Sequence, residues 1–315
     1  MAEEMYGNGI NILGTEESYR RDIYLKRAEM FLTNKMLEKA LSDFDKASEL
    51  FENPNPELIM KKAKITRKLN KPQNALILFE QVIKHDKSNE LAKKALFKIV
   101  CMRMEERDFY GAYFNLKRLM KYKDLSSKIM QYYTLVEGIV FLMKRKTKKG
   151  IKLLTGFAQN LNLVNKQVQQ MCFIYRAYGK MTMHLFKEAL EDYKIAESIL
   201  VLDDTSLFNK TLCESILILL ENKYSEAFKH LEKARQILPD SRVSHFYKCI
   251  FHFYEFLNQK DNLTIENYMI TQADIEMEKA LEIAPKDSEL QFYKGVILIV
   301  QKQYSEALKR LNKVC

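Results

Sequence analysis

Apolar and small side chains recur along the chain at the spacing of amphipathic helices. In the segment Tyr224–Pro239, Ala227 and Ala234 are seven residues apart with Leu231 between them, which places all three on one face of a helix. Pro239 ends the segment, because proline lacks the backbone donor and disfavours helix in the residue before it. The pattern predicts a helix whose small side chains let a neighbouring helix approach closely.

The same pattern returns through most of the sequence. Aligned on Ala227, the other copies have their small anchor residue at Ala40, Ala75, Ala112, Gly150, Ala189, Ala273 and Ala307. Successive anchors are 34 to 39 residues apart, except for a step of 46 between Ala227 and Ala273. Eight near-regular copies interrupted by prolines favour stacked helix pairs over a coiled coil.

A small residue, a large apolar residue four positions later (Phe44, Leu231 and Met277) and a later proline occur together at Ala40–Pro54, Ala227–Pro239 and Ala273–Pro285. This pattern resembles the tetratricopeptide repeat, a helix-turn-helix unit with a period of 34 residues. The family's aromatic at the start of the first helix remains only as Tyr24 and Phe173, and tryptophan is absent. The resemblance covers residues 18–315 and implies an all-α fold, a right-handed superhelical solenoid of about eight stacked antiparallel helix pairs.

Two segments depart from the repeat. Residues 1–17 contain three glycines and lack a helical period, so we expect a flexible N-terminal arm. The long step before Ala273 predicts a loop insertion near residues 258–270, a kind of insertion that is frequent on the binding face of a solenoid. We expect the rest, residues 18–315, to form one solenoid, whose C-terminal end is a possible surface for self-association.

Composition narrows the class of protein. Apolar residues make up 47% of the chain, with only 9 Gly and 5 Pro, which argues for long helices. The sequence has no run of 18 apolar residues and no secretory signal pattern at Met1. Its five cysteines are odd in number and widely spaced, which fits neither a disulfide framework nor a zinc site. We expect a protein of a reducing compartment, the cytoplasm, with the cilium and cytoskeleton suggested by analogy alone.

No motif for catalysis accompanies the repeats. The five histidines occur without an HExxH motif, a paired Cys-x2-Cys or a glycine-rich phosphate loop. His245 and His252 are seven residues apart on one predicted helix, and we interpret them as packing histidines because a metal needs more ligands. We therefore predict a non-enzymatic protein without a metal or other cofactor.

Positive charge is concentrated in one stretch. Between Lys117 and Lys152 there are eleven basic and two acidic residues, so this stretch holds nearly all of the formal net charge of +10. A solvated corner explains such a run, and attraction to an acidic filament, an acidic protein or RNA is the alternative. Nucleic acid is the least favoured, because the run lacks interleaved aromatics. The candidate basic patch, at the predicted turn of the fourth repeat, is Lys144, Arg145, Lys146, Lys148 and Lys149.

The resemblance also implies where a ligand binds. In the family, fixed positions of each first helix line a concave groove. Carried onto this sequence, those positions are polar in repeats one to three and apolar in repeats four to eight, where the candidate groove residues are Leu135, Ile139, Leu142, Ile174, Tyr178, Leu212, Ile216, Leu219, Phe246, Ile250, Phe253, Phe292 and Val296. If the helical phase is off by one position in some repeats, these residues are core instead.

An apolar stripe of that length needs a cover, and an amphipathic helix or extended peptide of a partner protein fits it. A subgroup of the family binds a chaperone C-terminal carboxylate through Lys and Asn side chains, but Leu25 and Glu29 occupy the corresponding positions here. We therefore expect no such clamp. The favoured function is a non-catalytic protein-binding scaffold or adaptor within a larger complex; the alternative is a polyanion-binding adaptor that uses residues 117–152.

Overall fold

A computed structural model describes Tyr6 and residues 16–239, 241–258 and 263–312 of the chain. The regular structure in these ranges is α-helical, with no strand among them. In chain order the helices are α1 (Glu17–Thr33), α2 (Leu37–Glu49), α3 (Pro56–Lys68), α4 (Pro72–His85), α5 (Glu90–Glu105), α6 (Phe109–Leu119), α7 (Ser127–Met143), α8 (Thr147–Ala158), α9 (Lys166–Met181), α10 (Phe186–Ile199), α11 (Asp204–Leu220), α12 (Tyr224–Ile237), α13 (Arg242–Asn258), α14 (Leu263–Ile283), α15 (Ser288–Val300) and α16 (Tyr304–Leu311).

The helices are packed in succession within two compact units, one up to Val140 and one from Phe141 onward. In the first unit α1 packs on α2, α3 on α4 and α5 on α6, and α2 also contacts α3 and α4 contacts α5. In the second unit the pairs are α9 with α10, α11 with α12, α13 with α14 and α15 with α16. Each unit is thus built of paired helices in chain order, as the repeat pattern predicts.

The anchor residues lie inside these units. All eight are buried, and so are the three aromatic residues that stand four positions after an anchor: Phe44, Phe79 and Tyr193. A small residue there removes the side-chain bulk that would hold the two helices apart, and the aromatic ring fills the space beside it. The alignment on the anchors is confirmed by this burial.

Short polar side chains begin several of the first helices. Asn55 accepts hydrogen bonds from the backbone nitrogens of Glu57 at 3.0 Å and Leu58 at 3.2 Å, and Pro56 occupies the first helical position, where no amide donor is needed. Asn165 and Asp203 cap α9 and α11 in the same way. These caps satisfy amide groups that the helix itself leaves without an acceptor.

The turn between the two helices of a repeat has one backbone form in the first six repeats and the eighth. Its residue five positions before the anchor has a positive φ of 56° to 61° and is never glycine: Lys35, Asn70, Arg107, Arg145, His184, Asn222 and Lys302. The next amide bonds back to the carbonyl five residues earlier, as from Met36 N to Phe31 O at 2.9 Å. This is a Schellman ending, in a left-handed conformation that costs a residue with a Cβ atom some strain.

Helix α14 corrects the predicted insertion. It begins at Leu263, so residues 263–270 are helical and the prediction of a loop over 258–270 is wrong for them. The physical reason is that residues 263–272 continue the helical spacing of apolar positions back from Ala273, which lets the helix extend. Residues 259–262 and most of the predicted N-terminal arm lie outside the described residues, and the prediction of a single solenoid over 18–315 stays a prediction.

Candidate functional site

Six of the residues predicted to line a groove belong to the core. These are Leu135, Ile139 and Leu142 of α7 and Leu212, Ile216 and Leu219 of α11, all buried. The prediction is corrected for them, because an anchor in the second helix of a repeat does not set the rotation of the first helix. One residue of difference turns a helical position by 100°. The partly exposed side of α11 carries Thr211, Glu214 and Ile218 instead.

The other predicted groove residues keep access to solvent. Tyr178 and Phe292 are exposed, and Ile174, Phe246, Ile250, Phe253 and Val296 are half-buried. Five of these seven lie in α13 and α15, so we concentrate on those two helices. We call Phe246, Ile250 and Phe253 of α13, together with Phe292, Val296 and Ile299 of α15, the aromatic surface.

The aromatic surface is continuous across the two helices. The ring of Phe246 meets the ring of Tyr293 edge to face, with centroids 5.2 Å apart, and Tyr293 meets Phe292 at 5.6 Å. Phe253 lies 6.0 Å from Phe256 along α13. Such aromatic contacts favour defined orientations of the rings, so the side chains of this surface are ordered by their packing.

A narrow crevice lies between the two helices. It is lined by Ile250 and Phe253 from α13 and Val296 and Ile297 from α15, with Cys249 and Tyr293 beside them, and it has no room for a water molecule. On the solvent side, Phe292 is 47% exposed and Ile299 is 45% exposed. The arrangement offers a closely packed apolar face for contact with another molecule.

Few charges face the aromatic surface. Burial raises the pKa of Tyr293, and the neighbouring carboxylate of Glu289 adds to the rise, so the phenol stays neutral. Arg242 is paired with Asp287 at the start of α15. Binding here would therefore be driven by burial of apolar area and would depend little on salt.

The basic patch is at the predicted turn. Helix α7 ends at Met143 and α8 begins at Thr147, and the five side chains of the patch are all exposed. The ammonium of Lys149 lies 4.3 Å from the centroid of the Phe141 ring. Arg145, Lys146, Lys148 and Lys149 have no carboxylate partner in the described part of the chain.

Two cations earlier in the basic stretch are engaged differently. Arg118 donates two hydrogen bonds to the carboxylate of Glu80, at 2.7 and 3.0 Å, and Lys117 lies 4.8 Å from the ring centroid of Tyr113. These two cations take part in the packing of the first unit, whereas Lys121, Lys123 and Lys128 are exposed. The use of the whole stretch 117–152 by a polyanion stays a prediction.

Sequence reasoning missed a buried polar position three residues after the anchor. In the first repeat it is Asp43, which accepts from Arg27 at 2.6 and 2.7 Å. In the fifth it is Asp192, which accepts from Arg176 at 2.8 and 2.6 Å. Asn115 and Glu276 are buried at the same position of the third and seventh repeats. The signal was present, because both arginines stand sixteen residues before their aspartates.

Chemistry beyond binding is not indicated by the titratable side chains. His245 bonds Glu276 at 2.6 Å in the interior, and the ring of His252 packs against Phe228 at 5.3 Å, so both pack inside as predicted. Within the described ranges, no group of His, Cys, Asp and Glu could hold a metal ion. Burial raises the pKa of the Cys172 and Cys213 thiols to about 12, which makes them poor nucleophiles.

Comparison with known proteins adds fold relatives. No family model matches the chain, and no curated protein sequence does. Among solved structures, PilF of Pseudomonas aeruginosa is similar at 16% identity over 71% of this chain and 95% of that chain, with a TM-score of 0.46. A tetratricopeptide repeat protein from Parabacteroides merdae is similar at 14% identity over 92% and 98%, with a TM-score of 0.46.

A third similar structure is the tetratricopeptide domain of P58(IPK), at 13% identity over 99% of this chain and 86% of that chain, with a TM-score of 0.39. Similar structures thus include proteins of the family that the sequence resembles. The likeness concerns the fold alone and does not identify a ligand. None of the described helices is long and apolar enough to cross a membrane.

Proposed function

We propose that the chain is a non-catalytic protein-binding scaffold and that an amphipathic helix of a partner docks on the aromatic surface of α13 and α15. The observation that carries the proposal is the near half exposure of Phe292 and Ile299 beside the crevice between the two helices. Large apolar side chains grouped in this way mark binding sites on protein surfaces.

A partner helix suits this geometry. The partly exposed residues of α13 and α15 recur at spacings of three and four, so they form an apolar stripe on each helix. Apolar side chains one turn apart on the partner helix lie against these stripes and cover Phe292 and Ile299. Burial of apolar area contributes about 25 cal/mol per Å², so covering these side chains is worth several kcal/mol.

We further propose a reducing compartment such as the cytoplasm. The four cysteines among the described residues are free, and Cys172, Cys213 and Cys249 are buried. Membership of a larger complex belongs to the same proposal, since a scaffold of this kind acts through what it holds together.

Photo-crosslinking tests the docking surface. A photoreactive phenylalanine analogue in place of Phe292 should form a covalent adduct with the partner in its native source. The matched control places the analogue at Phe114, which is 63% exposed on α6 of the first unit. Once the partner is identified, its binding to the purified chain should weaken by about 2 kcal/mol in Phe292→Asp and stay unchanged in Phe114→Asp.

Thermal melts keep the result interpretable. Phe292→Asp should melt like the wild type, because its side chain faces solvent, whereas Ile216→Asp should be strongly destabilised by an unpaired charge in the core. Equal binding by wild type and Phe292→Asp, or adducts at Phe114 alone, would refute the aromatic surface as the docking site.

A further inference from the structure

A long segment of the sequence carries no acidic residue. From Gly138 to Lys187 there is neither Asp nor Glu, while the basic residues are Lys144, Arg145, Lys146, Lys148, Lys149, Lys152, Lys166, Arg176, Lys180 and Lys187. Attraction between neighbouring side chains cannot neutralise these charges from within the segment. Each cation is therefore paired with a carboxylate from elsewhere in the chain, hydrated by solvent, or available to a ligand.

Two of the cations find a partner inside the protein. Arg176 and Lys180 of α9 both bind Asp192 of α10, with nitrogen to oxygen distances of 2.6 and 2.8 Å. Elsewhere in the second unit, further basic side chains are paired as well, among them Lys210 with Glu197 and Lys294 with Glu278. Pairing is therefore common in this unit.

The α7–α8 turn brings several cations without such a pair close together in the chain. Arg145, Lys146, Lys148, Lys149 and Lys152 are exposed, and no described carboxylate lies within ion-pair distance of them. Lys148 and Lys152 are four residues apart on α8 and share a face, with Lys149 next to it. The turn thus holds five positive charges whose mutual repulsion an anionic ligand would relieve.

The turn also has an apolar component. An open hollow of about 540 Å³ is lined by Arg145, Lys146, Thr147, Lys148, Lys149 and Met183. The lysine stems and the Met183 thioether are apolar, so the hollow combines hydrocarbon contact with a positive rim. A ligand with one apolar group between several negative charges matches both features.

The same residues argue against single-stranded RNA as that ligand. Recognition of single strands depends on aromatic faces on which bases stack, and no aromatic residue lines the hollow. The ring of Phe141 has Lys149 over its face at 4.3 Å. A lysine ammonium acts as a compact point charge, so a lysine-rich rim can pair with carboxylates of a flexible ligand.

We infer that the α7–α8 turn is a second binding surface, one that takes an acidic polypeptide segment. Carboxylates of the ligand pair with Arg145, Lys146, Lys148, Lys149 and Lys152, and an apolar side chain between them rests on Met183. The inference does not depend on the aromatic surface, which lies on other helices and is apolar.

Fluorescence anisotropy with the full chain tests the inference. The probe is a labelled peptide of about twelve residues, rich in glutamate with one central leucine; a glutamine version and a single-stranded RNA serve as comparison ligands. The test variant carries Gln at Arg145, Lys146, Lys148, Lys149 and Lys152. The matched control carries Gln at five exposed cations that also lack a described ion pair: Lys194, Lys229, Lys233, Lys286 and Lys302.

The acidic peptide should bind the wild type and lose at least about tenfold in affinity in the test variant, with less than about twofold loss in the control. Binding should weaken as salt is raised from about 50 to about 200 mM. Replacing the central leucine of the peptide by serine should weaken binding to the wild type more than to Met183→Gln, since the two side chains are in contact.

Three results would each overturn the inference. The first is no salt-sensitive binding of the acidic peptide. The second is an equal loss of peptide affinity in the test and control variants, which would show that the net charge of the protein alone explains the binding. The third is RNA binding that is much tighter than peptide binding and lost in the test variant, which would assign the turn to nucleic acid.

Discussion

Two groups of basic side chains in the second unit show how differently the same charges are used. Arg176 and Lys180 of α9 meet Asp192 and keep only 12% and 17% of their side-chain surface exposed. Arg145, Lys146, Lys148 and Lys149, only some thirty residues away in sequence, are exposed and lack a described carboxylate partner. The first group holds a helix pair together, and the second is available to a ligand.

The buried group depends on both members of the ion pair in the fifth repeat. Burial by itself lowers the pKa of the Arg176 guanidinium, but the hydrogen bonds to Asp192 outweigh it and the pKa lies above its ordinary value. Asp192 sits three residues after the anchor Ala189, inside the seam between α9 and α10. In the fourth repeat the same position is Leu153, and the positions of Arg176 and Lys180 are Glu137 and Phe141. The fourth repeat therefore has neither the acceptor nor the bases of this pair.

The largest expected effect comes from removing the acceptor. Asp192→Ala leaves Arg176 and Lys180 partly buried without a counter-charge, and breaking a buried ion pair from one side costs roughly 3 to 5 kcal/mol. Urea unfolding followed by circular dichroism measures the loss. Asp43→Ala should cost a similar amount, because Arg27 binds Asp43 with the same geometry. A loss below about 1 kcal/mol in both variants would show that the pairs do not hold the seams.

The next largest effect on stability is expected from His252, a buried histidine. Burial lowers the pKa of His252 to about 4, and Lys248 adds to the shift, while neither ring nitrogen has a hydrogen-bond partner among the described residues. An unfolded histidine takes up its proton near pH 6.5. Between about pH 6.5 and pH 4 the unfolded state therefore binds more protons, and stability falls as the pH is lowered.

The variant His252→Leu isolates this effect. Its stability relative to the wild type should rise on the order of 1 to 3 kcal/mol as the pH is lowered from 7 to 4. The carboxylates are common to both proteins, so their titration cancels in the difference. A stability difference that stays constant over this pH range would mean that His252 is solvated or paired in solution.

A smaller effect tests the backbone of the α7–α8 turn apart from its charge. Arg145 has a φ of 56°, a conformation that glycine adopts without strain, so Arg145→Gly should raise the free energy of unfolding by about 0.5 to 1 kcal/mol. Lys144→Gly removes the same charge one residue earlier, where φ is not positive, and should not stabilise. Equal melting temperatures for the two variants would contradict the role assigned to the Schellman turn.

The smallest effect is expected from the exposed cations themselves. Lys148→Gln and Lys152→Gln should change the free energy of unfolding by less than about 0.5 kcal/mol, since neither side chain has an ion pair to lose among the described residues. Thermal melts of these variants and of Asp192→Ala compare the exposed and the buried cations directly. A destabilisation of Lys148→Gln near that of Asp192→Ala would show that the turn is structural after all.

The candidate sites were only partly predictable. The turn position of the basic patch follows from counting back from Gly150, and α7 and α8 are separated at those residues. The apolar groove was predicted at thirteen positions, and six of them, such as Ile216, are core. An error of one residue in the assumed start of a first helix moves every inferred inward-facing position by 100° around that helix. Sequence spacing alone does not detect such an error.

The sequence by itself determined the local structure of this protein. Helical spacing, buried anchors such as Ala40 and Ala227, and caps such as Asn55 all act between residues close in the chain, so they can be read without knowing the fold. Only the tertiary structure decided which polar groups meet. Asp192 and Arg176 are on different helices, and whether a cation is buried against a carboxylate or left to a ligand depends on how those helices rotate and pack.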